Sequence, residues 1–131
     1  MDTNILVYAY TETDKEKQIK TRQLLQNSIG KIVIISAQVI NEFYSAMQKN
    51  KVEHNQIKKD IFEMSVLFNI SDINFKLIKE ALNIKETYKF SLWDSLIIAS
   101  ALENNCKILY TEDMQHEQII ENTLKIINPF K

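Results

Sequence analysis

Four acidic residues stand far apart in the chain, at Asp2, Glu42, Asp94 and Asp113, with no His or Cys beside them. A cluster of carboxylates without nitrogen or sulfur ligands suits a hard divalent cation such as Mg²⁺ or Mn²⁺. Such a cation activates water for attack on a phosphate. The chemistry therefore depends on whether the fold brings the four together.

Taken singly, each acid has a structural alternative. Asp94 lies three residues past Ser91, the spacing of a capping box. Asp113 fits a turn or helix cap. Glu42 suits an exposed helix position, and Asp2 a frayed terminus. The histidines, His54 and His116, are not spaced to sit beside two of the acids, which disfavours a His-based mechanism.

The elements that must position these residues follow from periodicity. Ile5–Tyr10 is an apolar run after Asp2-Thr3-Asn4, and Lys15–Asn27 has the spacing of an amphipathic helix. Lys31–Ile35 is continuous and β-branched, as in a strand buried on both faces. Ser36 then caps a helix with Val39, Ile40, Phe43, Tyr44 and Met47 on its apolar side. A helix is expected over Asn55–Met64 and a short strand near Leu67–Ile70. Ser71 or Asp72 caps a helix that carries Phe75, Ile78, Ala81 and Leu82. Ser91 opens the helix Leu92–Asn104, in which Trp93 is expected to pack into the core. Strands are expected at Lys107–Tyr110 and Leu124–Ile127. Alternation of this kind means α/β, with a mainly parallel sheet, because parallel neighbours need crossovers. In such sheets sites form at the carboxyl ends of strands, where the four acids can converge.

Composition sets bounds. At 131 residues the chain is one domain, residues 1–131, with 45% apolar and 25% charged residues, as in ordinary globular proteins. No apolar run is long enough to span a membrane, and the start lacks the pattern of a secretion signal. The lone Cys106 fits a reducing cytoplasm and reads as a buried, inert thiol. A net charge of −1 means that any nucleic-acid contact must be local. The basic candidates are Lys15, Lys17, Lys20 and Arg22, then Lys49 and Lys51, then Lys85 and Lys89.

The segments Asp2-Thr3-Asn4-Ile5-Leu6-Val7-Tyr8-Ala9, Asn41-Glu42-Phe43, Phe90-Ser91-Leu92-Trp93-Asp94-Ser95 and Leu109-Tyr110-Thr111-Glu112-Asp113-Met114 occur in this order. With them the chain resembles the PIN-domain family, in particular the VapC-type toxins of toxin–antitoxin systems. The resemblance implies a three-layer fold, with a mainly parallel central sheet flanked by helices. It implies a Mg²⁺-dependent ribonuclease whose acidic quartet is Asp2, Glu42, Asp94 and Asp113. Asp2 and Asp94 would bind Mg²⁺, or Mn²⁺, directly; Glu42 and Asp113 would bind through water or hold a second ion. Asn4 and Thr111 would orient carboxylates. The implied partners are an RNA substrate, a cognate antitoxin and a second copy of the chain, with helical faces around Phe62, Phe68 and Phe75 as dimer material. The alternative is a non-catalytic RNA-binding or scaffolding domain with a degraded metal site.

Two departures from the family pattern carry expectations. Only Met1 precedes Asp2, where relatives have an apolar strand, so the reading frame is expected to begin upstream or the chain to have been trimmed. Glu117 stands where many relatives carry Gly, so the loop after Asp113 is expected to differ in shape.

Overall fold

A computed structural model describes all residues from Met1 to Lys131. The elements run α1 (Thr3–Tyr10), α2 (Lys15–Asn27), β1 (Ile34–Ser36), α3 (Ala37–Lys49), α4 (His54–Leu67), β2 (Asn69–Ser71), α5 (Phe75–Tyr88), α6 (Leu92–Glu103), β3 (Ile108–Tyr110), β4 (Ile119–Ile120) and β5 (Leu124–Ile127). This is an α/β fold whose strands are short and whose helices dominate.

Helix α6 forms the centre. Its residues Ser95 to Ala101 are all buried, so it is apolar around its whole circumference rather than along one stripe. The interior hydroxyl of Ser95 is tolerable because it has a local partner: its Oγ donates to Ser91 O at 2.8 Å. Around it pack Ile5 and Leu6 of α1, Val39, Phe43 and Met47 of α3, and Leu77, Ala81 and Ile84 of α5, all in one core cluster. The spacing of Val39, Phe43 and Met47 places them on one face of α3. That leaves the adjoining face, with Glu42, free to line a surface.

The strands form two sheets. β1 pairs with β2 in parallel, while β5 pairs with β3 in parallel and with β4 antiparallel. β1 and β3 are not hydrogen-bonded to each other. Between them lies a cavity of about 290 Å³, lined among others by Met1, Ile34, Ile97, Cys106 and Ile108. The chain start closes one end of it: the Met1 amine donates to Ile34 O at 3.4 Å, and Asp2 N–H donates to Tyr110 O at 2.9 Å.

Several sequence expectations need correction. The strand after Gly30 covers only Ile34–Ser36, and Ile32 is 80% exposed rather than buried, because no strand lies on the β3 side of β1. Asn74, not Ser71 or Asp72, caps α5: its Oδ1 accepts from Leu77 N–H at 2.9 Å. From that start Leu77, Ala81 and Ile84 enter the core, while Phe75 and Leu82 face solvent. Trp93 is 55% exposed and does not pack into the core, because it stands in the first turn of α6, ahead of the buried run Ser95–Ala101. Strand β4 was not foreseen.

Candidate active site

Each acid is placed by local structure. Asp2 is the N-cap of α1: its Oδ1 accepts from Thr3 N–H at 2.6 Å, and its Oδ2 accepts from Thr111 Oγ1 at 2.7 Å. It is buried, and Thr111 is fully buried behind it. Asp94 stands in the first turn of α6, where its own N–H donates to Ser91 Oγ at 3.1 Å. The Ser91 cap thus exists, and it orients the turn that carries the carboxylate. Asp113 follows β3; its N–H donates to Thr111 Oγ1 at 3.2 Å and its Oδ2 accepts from Asn4 Nδ2 at 3.3 Å. Glu42 is half-buried on α3, and its Oε1 is buried without a hydrogen-bond partner.

All four acids line one cleft of about 390 Å³. Thr3 and Asn4 lie beside Asp2, and Gln38, Asn41, Ser45 and Lys49 continue the wall that Glu42 begins. Ala46 is the single apolar lining residue. The larger cavity, about 860 Å³ between α2 and α4, contains only Asp60 and Glu63 as acids and none of the quartet.

The electrostatics follow from this crowding. Burial raises the pKa of the Glu42 carboxyl, and the charge of Asp2 raises it further, against the opposing pull of nearby Gln38 and Thr3. Asp94 is raised by burial and then by Asp2, with the Ser91 contact pulling the other way. Asp113 is raised by burial, then by Asp2, Glu112 and Asp94, with Lys17 opposing. The Asp2 charge is thus shared by all three as a cause of the shift.

The donor set fits a hard divalent cation: oxygen ligands only, one of them a buried Glu42 oxygen without a partner, under mutual repulsion that a cation would relieve. Although both Asp2 oxygens accept hydrogen bonds, a carboxylate has further lone pairs for a metal. No three His, Cys, Asp or Glu side chains stand close enough together to ligate one ion as they are placed. A cation here would accordingly keep part of its water shell, as Mg²⁺ usually does.

Other residues lie differently from their sequence expectations. Lys17, a candidate phosphate contact, is bound to Glu112 Oε2 at 2.7 Å, and Tyr8 Oη donates to Glu112 Oε1 at 2.6 Å. His116 Nδ1 accepts from Asn128 N–H at 3.0 Å, so it ties the loop to the C-terminal segment instead of reaching the acids. Glu117 takes the left-handed conformation at φ 68°, so the loop makes the turn a glycine would favour. Cys106 is half-buried, and burial raises its thiol pKa, which suits an inert residue. The polar wall of Gln38, Asn41 and Ser45 was not foreseen. For Gln38 and Ser45 the signal was their spacing, four residues before and three after Glu42; Asn41 adjoins it directly.

The PIN domain family model matches residues 1–121. No curated protein matches the chain. No helix is long and apolar enough to cross a membrane.

Proposed function

Because this chain belongs to the PIN-domain family, a nuclease-type α/β fold acting on nucleic acid, we propose that it is a Mg²⁺-dependent endoribonuclease. The observation that carries this reading is the meeting of Asp2, Glu42, Asp94 and Asp113 in one polar cleft. Asp2 and Asp94 would hold the cation directly, with Glu42 and Asp113 contributing through water or to a second ion. Mn²⁺ would substitute. The bound cation would supply a more acidic water and stabilise charge building on the phosphate.

The chain's own residues do the rest. Thr111 and the Thr3 amide fix the Asp2 carboxylate before any ligand arrives, which limits the reorganisation that binding requires. Asn4 holds Asp113 toward the same cleft. Ser91 sets the first turn of α6 and so the height of Asp94. No side-chain nucleophile is needed, and no histidine lines the cleft.

The choice of RNA over DNA and the role as a cytoplasmic toxin restrained by a cognate antitoxin rest on the resemblance to VapC-type toxins. The proposed homodimer would use exposed helical aromatics; Phe62 and Phe75 are 62% and 70% exposed, whereas Phe68 is half-buried and contributes less. The second reading, a non-catalytic RNA-binding or scaffolding domain, is favoured by one observation, the break between β1 and β3 beneath Asp2. Incubating purified protein with total RNA separates the two. Fragments that form in Mg²⁺ and not in EDTA support the enzyme; intact RNA in both supports the scaffold.

A further inference from the structure

The cleft is an acidic site for a polyanionic substrate, so neutralisation at the reacting phosphate alone leaves the neighbouring phosphates facing carboxylates. The net charge of −1 gives no overall attraction to offset this. Four of the eight basic candidates are engaged elsewhere, and Lys15, Lys51 and Lys89 do not line the cleft. Lys17 pairs with Glu112 at 2.7 Å and Lys20 with Glu16 at 3.3 Å. Lys85 Nζ donates to Phe90 O, and Arg22 donates to Ala9 O, each at 3.4 Å.

Lys49 is the one cation that lines the cleft. It is exposed and forms no ion pair within the chain. None of the ion pairs in the chain joins Lys49 to a member of the acidic quartet. It follows Glu42 by two helical turns, about 10 Å along α3. Ser45 lies between them on the same wall.

Resting on the nuclease reading above, we infer that Lys49 is a positioning residue: it holds a phosphate of the substrate strand that flanks the one at the acids. The strand then runs along α3 from Glu42 past Ser45 to Lys49, which fixes its direction through the cleft. A cation in the last turn also favours the helix dipole, which is the purely structural role to be separated from this one.

The test measures binding and cleavage of a labelled single-stranded RNA octamer by wild type, Lys49→Ala and Lys49→Arg. Binding is read in Ca²⁺ at several salt concentrations, and cleavage in Mg²⁺. Lys49→Ala is expected to bind about five- to tenfold more weakly, with a salt slope smaller by about 0.7. Its KM rises by a similar factor while kcat stays within about twofold, and Lys49→Arg restores both. A helix-dipole role would alter melting and leave the salt slope unchanged. Equal affinity and slope for Lys49→Ala and wild type, a fall in kcat with KM unchanged, or no RNA binding by wild type would each overturn the inference. Weaker, less salt-dependent binding without cleavage by any form would keep Lys49 in this role and remove the nuclease reading instead.

Discussion

Thr111 donates its hydroxyl proton to Asp2 across 109 residues of sequence, at 2.7 Å, and the same oxygen accepts the N–H of Asp113 at 3.2 Å. One buried side chain thus joins two members of the acidic quartet, and neither contact needs a bound ligand.

Thr111→Val keeps the shape and removes that oxygen. Asp2 would be left buried with one partner fewer, which costs about 1–3 kcal/mol. Loss of such a supporting contact typically weakens metal affinity by about 10–100-fold. Urea unfolding and a Mn²⁺ titration measure the two effects. Unchanged values in both would mean that Thr111 is only filler.

The raised carboxyls predict a pH dependence. Glu42, Asp94 and Asp113 hold protons more tightly in the folded chain than in the unfolded one, by burial first and then by the charge of Asp2. Their contribution to stability is fully present below about pH 4 and is lost as pH rises through their folded values. Without metal, Asp94→Asn should therefore melt above wild type at pH 7 and level with it at pH 4. Added Mg²⁺ should raise the wild-type Tm more at pH 7 than at pH 4. Equal Mg²⁺ shifts at both pH values would contradict the repulsion described here.

Glu117 adopts φ 68°, a conformation that costs an L-residue about 1–2 kcal/mol and costs glycine little. Its ion pair with Lys125, at 3.4 Å and largely exposed, offsets little of that. Glu117→Gly is expected to stabilise the fold by about 0.5–1 kcal/mol, after the greater unfolded-state freedom of glycine is counted. A destabilised variant in thermal melting would show that the side chain matters more than the backbone.

The cavity between β1 and β3 predicts the effect of extending the chain. Both strands present unpaired edges to it, and burial lowers the pKa of the Met1 amine at its end. Four β-branched residues placed ahead of Met1 would pair with both edges and replace the amine by a peptide N–H. Relative to a Gly/Ser extension of equal length, Tm should rise by at least about 4 °C. Equal melting of the two extended forms would mean that the cavity does not accept a strand.

Legibility in the sequence followed the locality of the signal. Helix α2, the Ser36 and Ser91 caps and strand β5 lie where periodicity and capping chemistry put them, because those signals act within one or two turns. The division into two sheets is a matter of long-range pairing, which a β-branched run such as Lys31–Ile35 does not encode. Trp93 was misjudged for a different, local reason. It stands in the first turn of α6, ahead of the buried run Ser95–Ala101, so it lies past the end of the core that the rest of the helix fills. The quartet itself was readable from its flanking motifs; the polar wall along α3 and the Lys17–Glu112 pair required coordinates.

In the proposed function the acidic cleft binds a divalent cation and hydrolyses RNA with it. Its most direct test is the rate of Mg²⁺-dependent cleavage of a defined single-stranded RNA by wild type and by Asp94→Asn, both shown to be folded by circular dichroism. The account predicts cleavage by wild type that is lost in EDTA, and a reduction of at least about 10²-fold in Asp94→Asn. Equal rates for the two proteins, or cleavage that survives EDTA, would contradict it.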